Sequence, residues 1–71
     1  KMSKVYLKKL GKNIRYARKS LNFSQEKVAE LIGKSRNYVG MVERGELNTP
    51  VSVIFDFAKA LNLEPKDLFY F

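Results

Sequence analysis

Apolar residues recur at helical intervals from one end of the chain to the other, and no stretch alternates with period two for long enough to read as a strand. Over about 4–21, Tyr6, Leu10, Ile14, Ala17 and Leu21 step by four, four, three and four, which lays one apolar stripe along a helix. Lys8, Lys9, Lys12, Arg15 and Lys19 fall mostly off that stripe, and Gly11 weakens the helix by roughly 1 kcal/mol relative to Ala. Asn22-Phe23 breaks the pattern. Ser24 then caps a second helix over about 25–32, with Glu26 in the first turn, where the helix dipole favours an acid. Val28, Ala29 and Ile32 form its inner face. Gly33 follows where a positive φ costs a glycine little. Ser35 caps a third helix, about 36–44, with Val39 and Val42 inward and Gly45 at its end. After the loop Glu46-Leu47-Asn48-Thr49, Thr49-Pro50 reads as N-cap and first residue of a fourth helix, about 50–61. Its apolar positions are Val51, Ile54, Phe55, Phe57, Ala58 and Leu61. Asn62 is a left-handed stop, and Pro65 opens a last short turn of helix, about 65–70, with Leu68 and Phe69 inward. The pattern predicts an all-α fold of five short helices on one core, a single domain over residues 1–71.

Composition narrows what such a domain can do. A chain of 71 residues buries only roughly 60% of its unfolded surface, so it relies on idealised packing, staples or association. Disulfides are excluded because there is no cysteine, and with no histidine either a metal site is not expected. The same two absences remove most nucleophile–base pairs, so the sequence predicts no enzyme, no catalytic residues and no cofactor. The net charge is +7, and it is concentrated. Lys1, Lys4, Lys8, Lys9, Lys12, Arg15, Arg18 and Lys19 stand in the first 20 residues without one acid, whereas residues 46–71 are net acidic. A basic first quarter points to nucleic acid, or second to an anionic membrane surface; the plain alternative is a solvated basic helix face. No stretch approaches the ~20 apolar residues of a membrane span, so no membrane insertion is expected. The opening Lys1-Met2 suggests that Met2 is the native start.

Ser24 to Glu46, SQEKVAELIGKSRNYVGMVERGE, places two short helices on either side of a tight turn containing Gly33, the mark of a helix-turn-helix. Ala29 is small where the two helices must cross closely. Val39 and Val42 hold the second helix to the core and leave the polar residues at its start free to reach out. The segment resembles the Cro/repressor-type (Xre-type) helix-turn-helix DNA-binding family. The resemblance covers about residues 10–69. It rests on the basic first helix with Arg18, Ser24-Gln25, Ala29, Gly33, Val39, Val42, Glu43-Arg44-Gly45, and the closing Ala58-Lys59-Ala60-Leu61 and Asp67-Leu68-Phe69. It implies a compact five-helix, lambda-repressor-like fold, homodimeric operator binding and transcriptional control in the cytoplasm of a bacterium or its phage.

The third helix would then be the recognition helix, with Arg36 and Asn37 as leading base readers, because Arg bridges guanine O6 and N7 and Asn bridges adenine N6 and N7. For each, contact with phosphate alone is the alternative. Tyr38 and Met41 are further base-contact candidates, Met41 with half-buried packing as its alternative. Gly40 is unusual inside a helix; close approach to DNA or relaxed packing would explain it. The resemblance puts the amide of Gln25, at a helix start that favours anions, on a phosphate, and Ser24 and Ser35 are further phosphate candidates. It lays Asn48 and Thr49 along the backbone, although Glu46 is acidic where a base would help. It pairs Arg18 with Glu43, leaving guanidinium donors for a phosphate. Tyr70 and Phe71 are candidates for a dimer contact, or fold back over the domain; Leu31 is apolar where the family is usually polar. The rival function is a DNA-binding antitoxin or an interaction module whose main partner is another protein. If the chain is complete, regulation would rest on its concentration and dimerisation.

Overall fold

The computed structural model describes residues 2–71; Lys1, counted above in the basic first quarter, lies outside the described residues. Four α-helices and one 3₁₀ turn follow in order: α1 Lys4–Ser20, α2 Gln25–Ile32, α3 Arg36–Glu43, α4 Val51–Ala60, and the turn Pro65–Phe69. The expectation of five helices is therefore corrected at its last member. Five residues opened by a proline make a 3₁₀ turn and are too few to propagate an α-helix.

Helix starts follow local chemistry. The hydroxyls of Ser3, Ser24 and Ser35 accept from the backbone N–H of Tyr6, Lys27 and Tyr38, satisfying one orphan donor at each start. The fourth start differs from its expectation. Pro50 itself is the N-cap, and Thr49 is turned inward with its hydroxyl donating to the Leu47 carbonyl. Every α-helix stops in the same way. Asn22, Gly33, Gly45 and Asn62 take φ of 59°, 70°, 70° and 59°, and the next residue's N–H returns to a carbonyl in the last turn.

Leu10 and Ile14 of α1, Val28 and Ala29 of α2, Val39 and Val42 of α3, Val53, Ile54, Phe57 and Ala58 of α4, then Leu61 and Leu68, form one buried cluster. Five apolar positions expected inward, in three elements, lie outside the core. In α1 the buried line runs through Leu7, Leu10, Gly11, Ile14 and Arg18, leaving Tyr6 and Leu21 exposed, because α3 packs beside Gly11 and Arg18. In α4, Val53 is buried in place of Val51 and Phe55, which remain 67% and 55% exposed. In the terminal turn Leu68 is buried and Phe69 is not.

Gly11 explains how α3 is seated. A Cβ there would stand 2.5 Å from the carbonyl oxygens of both Val42 and Glu43. The residue that weakens α1 as an isolated helix is the one that lets α3 end against it. The C-terminus folds back on the other side of α1. Asn13 Nδ2 donates to the carbonyls of Leu68 and Tyr70 at 2.9 and 3.2 Å, and the Phe71 ring stacks on Tyr6 at 6.0 Å.

Candidate nucleic-acid interface

Helices α2 and α3 are eight residues each and are joined by Gly33-Lys34-Ser35. Gly33 reverses the chain, and the Lys34 N–H donates to the Ala29 carbonyl at 2.9 Å. Ala29 is buried at this crossing. Val39, Val42 and Glu43 fasten the inner side of α3, so its opposite side is presented outward on a fixed support.

Arg36 and Asn37 are exposed at the first turn of α3, and among the described residues Arg36 makes no ion pair. Asn37 Nδ2 reaches Met41 Sδ at 3.7 Å, a weak contact that leaves its carbonyl oxygen free. Met41 is half-buried. Tyr38 is also half-buried, leaning on the core with the Lys34 ammonium 5.0 Å above its ring. Arg36, Gly40 and Arg44 succeed one another at intervals of four. The Arg44 guanidinium lies over Gly40, where a Cβ would be 2.9 Å from Nη1. Gly40 thus makes room for a side chain of its own helix.

Arg18 and Glu43 meet in a buried, two-pronged pair, Nε to Oε2 at 2.6 Å and Nη2 to Oε1 at 3.1 Å. Arg18 Nη1 also donates to the Phe23 carbonyl, and Gln25 Nε2 donates to Glu43 Oε1 at 3.0 Å. One carboxylate therefore ties the end of α3 to α1 and to the first residue of α2. The resemblance left guanidinium donors of Arg18 for a phosphate, but all three of its nitrogens already donate within the protein and the side chain is buried. Burial of the pair raises what depends on it, because removing one partner of a buried pair leaves the other charge uncompensated. Ser24 and Ser35 each hold a helix start with their hydroxyls. Asn48 is exposed in the loop after α3, and Thr49 is buried.

A basic groove that sequence reasoning missed runs beside α3. One stretch is lined by Arg15, Arg18, Gln25, Glu43 and Arg44, and the next by Lys8, Lys12, Arg15, Glu43, Arg44 and Glu46. Its signal was present in the spacing: Lys8, Lys12, Arg15 and Lys19 share one side of α1. What the spacing lacked was the neighbour. Arg44 Nε pairs with Glu46 Oε2 at 3.0 Å, and that hydrogen bond holds the Glu46 carboxyl below its ordinary range. Tyr70 is 89% exposed at the far end of the chain, and Phe71 is partly covered by Tyr6 with the Lys9 ammonium 5.8 Å from its ring.

A sequence model of the Helix-turn-helix family matches residues 14–68. The chain is similar to Control protein C.SmaI of Serratia marcescens, 47% identical over 53 residues, 75% of this chain and 63% of that protein. The chain thus spans less than two thirds of that relative's length. It is 40% identical over 62 residues to Control protein C.BamHI of Bacillus amyloliquefaciens, covering 86% of this chain and 76% of that protein. Among solved structures it is similar to the restriction-modification controller protein C.AhdI from Aeromonas hydrophila. The TM-score is 0.86 at 44% identity, over 89% of this chain and 96% of that one.

Proposed function

The chain belongs to the Xre-type helix-turn-helix family, and from that premise we propose that it is a sequence-specific, DNA-binding transcriptional regulator of the restriction-modification controller kind, acting as a homodimer. The observation that carries this reading is the mounting of α3. Its inner side is locked by Val39, Val42 and the buried Glu43, while Arg36 and Asn37 stand free at its first turn. That is the arrangement needed to hold donors and acceptors against base edges in a major groove.

Arg36 and Asn37 read bases, with Tyr38 and Met41 beside them on α3. The start of α2 carries Ser24 and Gln25 to a phosphate, with Ser35 and Asn48 on the neighbouring backbone and Arg18 held behind Gln25; Thr49, expected on that backbone, is buried with its hydroxyl on the Leu47 carbonyl and instead braces the loop from within. The similarity to control proteins supports the regulatory assignment and favours a controller over the antitoxin reading of the same fold. The second subunit would cover apolar side chains left in solvent, either Tyr70 with Phe71 or Val51 with Phe55 on α4. Two copies then set two recognition helices about 34–36 Å apart on a pseudo-palindromic operator.

Selection of bound sequences from random duplex DNA tests the proposal. The expected product is an inverted repeat with half-sites about 10 base pairs apart, centre to centre. Recovery of no enriched sequence would overturn it. Sedimentation of the Phe55→Glu and Tyr70→Ser variants decides which apolar surface pairs.

A further inference from the structure

The +7 charge is usable only where no acid already neutralises it. Among the described residues the ion pairs are Arg18–Glu43, Lys27–Glu30 and Arg44–Glu46. Both acids of the groove beside α3 are therefore already engaged by arginines. Lys8, Lys12 and Arg15 are exposed there and make none of these ion pairs, although Lys8 stands near enough to Glu46 to help hold its carboxyl down. They stand on the side of α1 turned away from the terminal 3₁₀ turn, which Asn13 holds. From Lys8 to Arg15 the helix rises roughly 10 Å, a length over which one strand of duplex DNA carries about three charges.

The groove is also fixed in place. Gly11 brings α1 onto the carbonyls that end α3, and Gly45 lies against the Lys8 backbone, where a Cβ would be 2.8 Å away. The unpaired cations are thus held at a set distance from the recognition helix. The groove begins at Gln25, the residue assigned to a phosphate above.

We infer that this groove is a second phosphate track, in which Lys8, Lys12 and Arg15 hold the DNA backbone flanking the site that α3 reads. The inference rests on the DNA-binding function proposed above and extends it to residues outside the helix-turn-helix. The contacts are charge to phosphate, so they position the protein and add affinity without reading bases. Each neutralised phosphate releases a counterion, and three such contacts contribute about 2.7 to the slope of log K against log salt.

The test uses the whole chain and a duplex carrying its selected sequence, with binding followed by fluorescence anisotropy from 50 to 200 mM salt. The variant is Lys8→Gln/Lys12→Gln/Arg15→Gln, with Lys66→Gln on the terminal turn as a control for net charge. The triple variant is expected to flatten the slope by about 2.7, equivalent to losing about 40-fold of the wild type's salt sensitivity over that range. Its thermal midpoint and its ratio of selected to unselected affinity should stay as in the wild type, and Lys66→Gln should leave the slope within half a unit. An unchanged slope in the triple variant, with the wild type binding its sequence normally, overturns the track alone. So does a loss confined to sedimentation with anionic phosphatidylserine vesicles. A wild type that binds no duplex overturns the DNA-binding function, and the track with it.

Discussion

Alanine at Gly11 and alanine at Gly40 are the same substitution in two helices, yet the structure requires opposite outcomes. By helix propensity each should stabilise the fold by about 1 kcal/mol. At Gly40 the new methyl meets only the end of the Arg44 side chain, which is exposed and can swing aside, so most of that gain should remain. At Gly11 it meets two backbone carbonyls at 2.5 Å, and that distance must open to the 3.4 Å of ordinary contact. Backbone cannot swing aside. The end of α3 must lift from α1, loosening Leu10 and Ile14 against Val39 and Val42 and stretching the Arg18–Glu43 pair. Overpacking in a tight core costs about 1–3 kcal/mol, and two backbone obstacles put this site at the upper end. Less the propensity gain, Gly11→Ala should destabilise by about 2 kcal/mol. For a domain of this size that lowers Tm by roughly 10 °C. Calorimetry or circular-dichroism melting of both variants is the assay. A Gly11→Ala midpoint equal to or above the wild type's would refute the close seating of α3 on α1.

Glu43→Ala should destabilise by about 3–5 kcal/mol, because it strands the Arg18 guanidinium in a buried site; urea unfolding measures it, and a loss below about 1 kcal/mol would mean the pair is effectively solvated. Arg36→Ala should cost about 1–3 kcal/mol on the selected sequence and relax preference at one base pair, whereas an equal loss on every sequence would reassign Arg36 to phosphate. Gln25→Ala should weaken binding to all sequences alike, and because its amide also ties α2 to Glu43 it should lower Tm slightly. The Glu46 carboxyl, held down by its Arg44 hydrogen bond, should titrate below an ordinary Glu in an NMR pH series. Its small contribution to stability is present above the ordinary Glu range and is lost as pH falls through the lowered value. Arg44→Gln should return the titration to the ordinary range.

The four α-helices, their order and their stops were open to the sequence because they are local, whereas the last turn was too short for its pattern to tell α from 3₁₀. Serine caps at Ser24 and Ser35 and left-handed stops at Gly33, Gly45 and Asn62 act within a turn of the residues that carry them. The helix-turn-helix was legible for the same reason, since Ala29, Gly33, Val39 and Val42 fall within about one helical hairpin. Errors arose where a neighbour decided the matter. Periodicity alone put Val51 and Phe55 inward, but α4 turns Val53 to the core. Tyr6 was assigned to the apolar stripe and is instead a lid for Phe71.

An all-helical, strongly basic chain with a turn and caps that set α3 beside α2 could be read from the residues alone, because capping and periodicity act between neighbours along the chain and net charge is a simple count. That Gly11 is a contact surface and that Glu43 is the buried link among α1, α2 and α3 emerged from the packed fold. Likewise, only it showed that Lys8, Lys12 and Arg15 share a groove with the end of the recognition helix. Each of those facts depends on atoms at least 18 residues apart in sequence meeting within a few ångströms. No local pattern encodes such a distance; packing the whole core sets it.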